Sequence, residues 1–250
     1  MEFVTLKKEF GIATIVLARG KVNALNETVV EEIGNHLARI ETDDSLGSII
    51  LTGHGKFFTF GFDIPGFLNH TREEFAAYLH TFTGLCARIF TYPKPVIAAL
   101  NGHTIAGGCM LATACDFRLM VTGGAKISLN EINFGSSVFA GSVEILKHCV
   151  GARNAERILY SGKMFTAEEA AGLGLVDRVT SAENLLPEAM DVAREFAAKS
   201  GAAFAEIKKL LRNPLAEAIA ARERTFIEEF IRIWYSPQTW ENLRAIKIAG

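Results

Sequence analysis

The chain has 250 residues, of which 49% are hydrophobic and 22% charged, with a formal net charge of −2. That composition supplies a sizeable core for one large domain, or a domain with a small appendage. The charge offers no platform for nucleic acid or an anionic membrane, and the apolar runs are too short to span a bilayer.

The N-terminus, Met1 to Lys8, alternates like a strand and lacks a signal-peptide core, with Glu2–Leu6 as the first predicted strand. A turn at Phe10-Gly11 leads to a second strand, Ile12–Leu17. Asn26 is placed to cap a helix reaching about Glu41, with Val29, Val30, Ile33, Leu37 and Ile40 on one face. Ser48–Leu51 reads as a short buried strand. Thr71 and Glu74 form a capping box before a helix to about Phe90, which Pro93 and Pro95 end. Val96–Leu100 is the next strand, Met110–Ala114 a helix, Phe117–Val121 a strand and Lys126–Leu129 another. Thr166 and Glu169 form a second capping box, Val176–Val179 is one short strand, and from Ala182 onward only helices are expected. Pro187, Pro214 and Pro237 punctuate them. Phe226, Ile227, Phe230, Ile231 and Trp234 need a surface, on this chain or on a neighbouring subunit. The order is β/α first and helical after.

Chemistry concentrates in two glycine turns and one acid. Asn101-Gly102-His103-Thr104-Ile105-Ala106-Gly107-Gly108-Cys109-Met110 connects two apolar runs, so a strand is expected to turn through glycines straight into a helix. The first amides of that helix lack intrahelical acceptors and favour negative charge, including charge present only in a transition state. Gly53 to Asp63 is a second such passage. It fits neither G-x-x-x-x-G-K-[ST] nor G-x-G-x-x-G, which disfavours a nucleotide-phosphate cradle. Two such turns would each offer one N–H to a single oxygen; the alternative is that Phe58, Phe60 and Phe62 fill core on one strand face. Glu131 is flanked by Leu129, Ile132 and Phe134, so it is either a desolvated carboxylate with a raised pKa or an exposed loop residue. The four cysteines, Cys86, Cys109, Cys115 and Cys149, form no C-x-x-C pair and read as reduced core thiols. The histidines are scattered with no H-E-x-x-H, so no metal is expected.

Four segments in register carry a resemblance: Lys21-Val22-Asn23-Ala24-Leu25-Asn26, Phe57 to Asp63, Lys94 to Gly102, and Ala106-Gly107-Gly108-Cys109. Over about residues 5–180 the chain resembles the crotonase, or enoyl-CoA hydratase/isomerase, superfamily. The resemblance implies an α/β fold, a spiral of ββα units over residues 1–195, followed by a helical trimerisation region over 196–250. It implies homotrimers or hexamers and an acyl-CoA thioester substrate, with no cofactor beyond the coenzyme A that the substrate carries. The thioester oxygen would lie between the backbone N–H groups of Phe62 and Gly107. Hydratases of the superfamily carry a glutamate after Gly-Gly-Cys; here Met110 stands there, and the second family glutamate matches Glu131. That pattern is similar to the Δ3,Δ2-enoyl-CoA isomerase branch, in which one carboxylate moves a proton from C2 to C4. The resemblance further points to Phe60, Gly61, Asp63 and Ile64 near the adenine end of CoA, and to Ala24 and Leu25 beside the pantetheine arm. Lys21 and Lys56 are candidates for its phosphates, and Gly108 and Met110 for substrate or CoA binding. Phe134, Val138 and Phe139 are candidate acyl-chain walls or simply core. Asn130 is either an orienting residue or part of the turn, and Asp63 is equally a helix cap. Hydration by another acid, such as Glu144, and a non-catalytic acyl-CoA-binding or scaffold role are the alternatives. No sorting signal is recognised, including at Lys247-Ile248-Ala249-Gly250, so a cytoplasmic location is the default expectation.

Overall fold

A computed structural model describes residues 2–246. An antiparallel hairpin opens the chain, β1 (Val4–Glu9) against β2 (Ile12–Leu17), turned by Phe10 and Gly11 at φ of +53° and +76°. Asn26 caps α1 (Glu27–Glu41) by accepting from the Val29 amide, and the predicted apolar stripe is the buried face.

From there the chain repeats one unit: a strand in a large sheet, a short strand in a small sheet, then a helix. The units are β3 (Ser48–Gly53), β4 (Phe57–Thr59), α2 (Ile64–Phe67) and α3 (Arg72–Thr91); β5 (Val96–Leu100), β6 (His103–Ile105) and α4 (Gly107–Ala114); and β7 (Phe117–Val121), β8 (Ile127–Ser128), a 3-10 turn (Glu131–Phe134) and α5 (Ala140–Ser161). After α6 (Ala167–Gly172), β9 (Arg178–Thr180) closes a six-stranded sheet of order β1-β2-β3-β5-β7-β9, while β4, β6 and β8 form the three-stranded one. Every ladder between these strands after the hairpin is parallel; a single antiparallel bridge joins Ile127 of β8 to Phe165. The fully buried runs of β3 and β5 follow from helices covering a parallel sheet.

Two asparagines within the motif segments hold the corner between the sheets. Asn23, buried at φ +51°, donates to His54 O at 3.0 Å and Phe57 O at 2.9 Å. Asn101 accepts from the Gly53 amide at 2.9 Å and donates to Gly55 O at 3.0 Å. Their side-chain amides satisfy backbone groups that the bend removes from the ladders.

The helices α7 (Leu185–Ala197), α8 (Gly201–Trp234) and α9 (Pro237–Arg244) follow. Pro214, expected to end a helix, lies inside α8. Packing against α3 and α5 sustains the helix across the lost hydrogen bond. Ile227, Phe230 and Trp234 bury on the chain's own body, whereas Phe226 stays partly exposed. The other differences are boundaries. The first strand is Val4–Glu9 rather than Glu2–Leu6, and the last is Arg178–Thr180 rather than Val176–Val179, because Val176 goes into the core outside the ladder. Neither glycine turn runs directly into its helix. β4 and β6, three residues each, were hidden within the glycine-containing segments. Among the described residues no helix is long and apolar enough to cross a membrane.

Candidate active site

The two small-sheet strands deliver the glycine turns side by side. Gly61 follows β4 at φ +95°, where a Cβ would lie 2.8 Å from Ile105 O and 3.1 Å from Gly107 N, so only glycine fits. Its carbonyl accepts from Leu25 N at 2.8 Å, and Asp63 N donates to Leu25 O at 2.9 Å. The Phe62 amide between those two bonds donates to no protein acceptor among the described residues. Beyond β6, Ala106 caps α4 at φ +51° and ψ −116° with no side-chain cap. Such a backbone costs about 1–3 kcal/mol and persists only where the surroundings enforce it, here through Ala106 N donating to Ser128 O at 2.8 Å. The first amide bonded within α4 is that of Met110, to Ala106 O, so Gly107 N–H begins the helix without an intrahelical acceptor. A Cβ on Gly107 would lie 3.0 Å from the Phe62 ring. The two glycine turns that carry these free amides therefore lie against each other.

Glu131 opens the 3-10 turn after β8. It is 5% exposed, and burial pushes its carboxyl from the ordinary carboxylate range up to about 8. Its Oε2 and the neighbouring Asn130 Oδ1 are buried without a hydrogen-bond partner among the described residues. A buried acceptor without a partner calls for an explanation, and here both such oxygens belong to neighbouring residues that line one cavity. The exposed-loop alternative for Glu131 is overturned.

A cavity of about 280 Å³ joins these parts. Of the residues singled out in the sequence, Phe60, Phe62, Ile64, Gly107, Met110, Asn130, Glu131, Phe134 and Phe139 line it. Among the described residues Glu131 is the one titratable side chain on its wall. Met110, 3% exposed, is shared with a second apolar cavity between α3, α5 and α8. The Phe62 ring meets Tyr78 and Phe82 edge-on at 5.2 and 4.9 Å, which ties its bulk into the aromatic cluster on α3.

Other singled-out residues lie elsewhere. Gly61 shapes the turn without lining the cavity. Ala24 and Leu25 are buried and do not line it, Leu25 being bridged to Phe62, and Gly108 is packed on Thr59. Lys21 and Lys56 are exposed. Asp63 caps α2 through the Gly66 amide and pairs with Arg19 at 2.6 Å, which realises its capping alternative. Val138 lines a separate cavity on the far side of Glu131. Glu144 bonds Lys147 at 2.9 Å and lines neither the Glu131 cavity nor the far one. The sequence reading missed Ile105, Asn133, Phe230, Trp234 and Ile246 on the cavity wall. Phe230 and Trp234 had a signal, an aromatic pair four residues apart in an apolar tail, but nothing local says which surface that pair covers.

Three comparisons bear on this arrangement. Residues 7–242 match the family model for enoyl-CoA hydratase/isomerase. A crotonyl-CoA hydratase from Syntrophomonas wolfei is 34% identical over 79% of this chain and 76% of its own. A Mycobacterium tuberculosis protein, named an enoyl-CoA isomerase in a structure solved without ligand and a probable enoyl-CoA hydratase in another, superposes at a TM-score of 0.84 with 29% identity, the ligand-free structure covering 91% of this chain and 98% of its own. Human mitochondrial Δ3,Δ2-enoyl-CoA isomerase superposes at 0.91 over 97% and 95% of the two chains; at 24% identity that likeness concerns the fold alone. With its ββα spiral, helical C-terminal region and a family match over residues 7–242, this chain has the crotonase fold and belongs to the enoyl-CoA hydratase/isomerase family.

Proposed function

We propose that the chain is an acyl-CoA double-bond isomerase that converts 3-enoyl-CoA to 2-enoyl-CoA with Glu131 as its single proton carrier. The observation that carries this reading is the wall of the Glu131 cavity: one carboxyl group, two unpaired amides, and a methionine where a second acid would stand. The thioester oxygen accepts from the amides of Phe62 and Gly107. The Glu131 carboxylate takes a proton from C2, the electrons of that C–H bond move into a dienolate, and the charge gathers on the held oxygen. Glu131 then returns the proton to C4, the C3–C4 double bond becomes C2–C3, and no water is consumed. Each amide is most effective at the developing oxyanion, and losing one costs about 3–4 kcal/mol in well-studied cases. A carboxyl titrating near 8 is a stronger base than an exposed one, suited to a weakly acidic C–H.

The apolar remainder of the wall suits an acyl chain and keeps water from the dienolate. No cofactor beyond the coenzyme A of the substrate enters this scheme. A trimer or hexamer accords with exposed Ile207, Leu210 and Leu211 on α8, at 57%, 69% and 66% exposure.

Hydration is the second reading, favoured by the hydratase names of relatives such as the Syntrophomonas protein. It requires a group to hold and activate water opposite Glu131, and among the described residues the other polar side chains on the wall are the amides of Asn130 and Asn133 and the Trp234 indole N–H, none of them an acid or a base. Supplying purified protein with 3-enoyl-CoA and, separately, 2-enoyl-CoA, and following both by chromatography, separates the readings. Isomerisation should exceed hydration by at least about tenfold; faster hydration would reverse the order of the two proposals.

A further inference from the structure

The 3-10 turn that carries Glu131 is four residues long, and such turns have strained, weak internal hydrogen bonds. It is therefore held from outside. At its middle, Asn133 donates to Gly162 O at 2.7 Å. At its end, the holds come from α9, the last helix among the described residues. Thr239, 3% exposed, donates from Oγ1 to Gly135 O at 2.7 Å, and Asn242 donates to Phe134 O at 3.2 Å. Gly135 is in the left-handed region at φ +84°, where a Cβ would lie 3.0 Å from Thr239 Oγ1; the helix and the turn touch with no spare room.

The base of α9 is anchored in turn to the other side of the site. Tyr235 donates to His70 O at 3.0 Å on the loop between α2 and α3, and its ring stacks on Trp240 at 4.9 Å. Leu243 is fully buried, and Ile246 reaches the Glu131 cavity. The helix thus spans from the loop after α2, beyond the Phe62 turn, to the turn bearing Glu131.

We propose that Thr239 and Asn242 are positioning residues for Glu131: by holding the two carbonyls that end its turn, α9 fixes the carboxyl against the cavity wall and away from solvent. This rests on the reading of Glu131 as the base. A displacement of about 1 Å at a reacting group can cost on the order of a hundredfold in rate. Neither side chain faces the cavity, so the effect is on the chemical step rather than on binding.

The test compares Thr239→Val, Thr239→Ser and Asn242→Ala with wild type and with Glu131→Gln, using a 3-enoyl-CoA. Thr239→Val, which keeps the shape and removes the donor, should lower kcat about tenfold or more with KM within about twofold. Thr239→Ser should restore most of it, and Asn242→Ala should fall between. The acid limb of the rate profile should move to lower pH in Thr239→Val, because a loosened turn lets water reach the carboxyl. Partial unfolding lowers the apparent kcat but moves no limb. Among the described residues Glu131 is the titratable side chain on this cavity's wall; Lys147, Glu156 and Tyr160 line the cavity on its far side, the Cys109 thiol nearby stays neutral because burial raises its pKa, and the charged groups of α9, Glu241 and Arg244, are exposed. A Thr239→Val protein with wild-type kcat and an unmoved limb overturns the proposal. So does a lowered kcat with the limb in place and no rescue by serine. A Glu131→Gln protein that keeps wild-type activity removes the base assignment and the positioning role with it.

Discussion

Glu131 combines two properties that rarely coincide, a carboxyl group almost wholly removed from water and an oxygen with no protein donor. Its raised pKa has a definite sign for stability. The folded state binds a proton more tightly than the unfolded chain, so stability falls as pH rises from the ordinary carboxylate range to about 8. Glu131→Gln should therefore melt higher than wild type at pH 8, and the gap should shrink as the pH is lowered toward 5, by scanning calorimetry across that range. The same substitution should reduce isomerisation about 10²–10⁴-fold, the usual contribution of a general base. Wild-type kcat/KM should rise with pH until about 8, where the free carboxyl finishes ionising; a profile flat from 6 to 9 would exclude Glu131 as the group that must lose its proton. Met110→Glu would place a second carboxyl on the same wall. It should slow isomerisation and admit measurable hydration of 2-enoyl-CoA, read in the same two-substrate assay.

At the scale of elements, the C-terminal helices are attached to the body by charge as well as by apolar packing. Asp116, in the turn before β7, bonds Lys208 at 2.7 Å and Arg212 at 3.0 Å, both on α8, and accepts from Val96 N at 2.8 Å. Asp116 and Lys208 are under a tenth exposed, and Arg212 only slightly more. Removing the carboxylate leaves two cations without their counter-ion in a dry place. Asp116→Asn should thus destabilise the fold by about 3–5 kcal/mol, measured by urea unfolding, far more than loss of a surface pair such as Arg153–Glu156. Nothing in the sequence around Asp116 distinguishes it from a solvated aspartate, because its partners lie about ninety residues further on. The local devices were legible. Both capping boxes form as their spacing predicts, at Thr71 with Glu74 and at Thr166 with Glu169. β4 and β6 were not legible, since strands of three residues among glycines carry no periodicity to detect. Pro214 misled for the converse reason, as a local helix breaker overruled by packing on α3 and α5.

For the molecule as a whole, α8 presents outward an apolar group of Ile207, Leu210 and Leu211 that its own body leaves uncovered. If the proposed trimer uses it, light scattering should give three times the 27.3 kDa chain mass. Leu210→Glu together with Leu211→Glu should shift the population toward monomer. What the amino-acid order by itself determined is whatever depends on near neighbours: helix caps, buried strand runs, the two glycine turns, and an acid among apolar residues. The family resemblance added their common fold. Tertiary structure alone decided that Gly61 lies against Gly107 and that Phe230, Trp234 and Ile246 help close the cavity. It also decided that α9 clasps the turn of Glu131. Those contacts join residues dozens to more than a hundred positions apart, and they depend on the spiral bringing strand ends and the returning helices to one place, which no local pattern encodes.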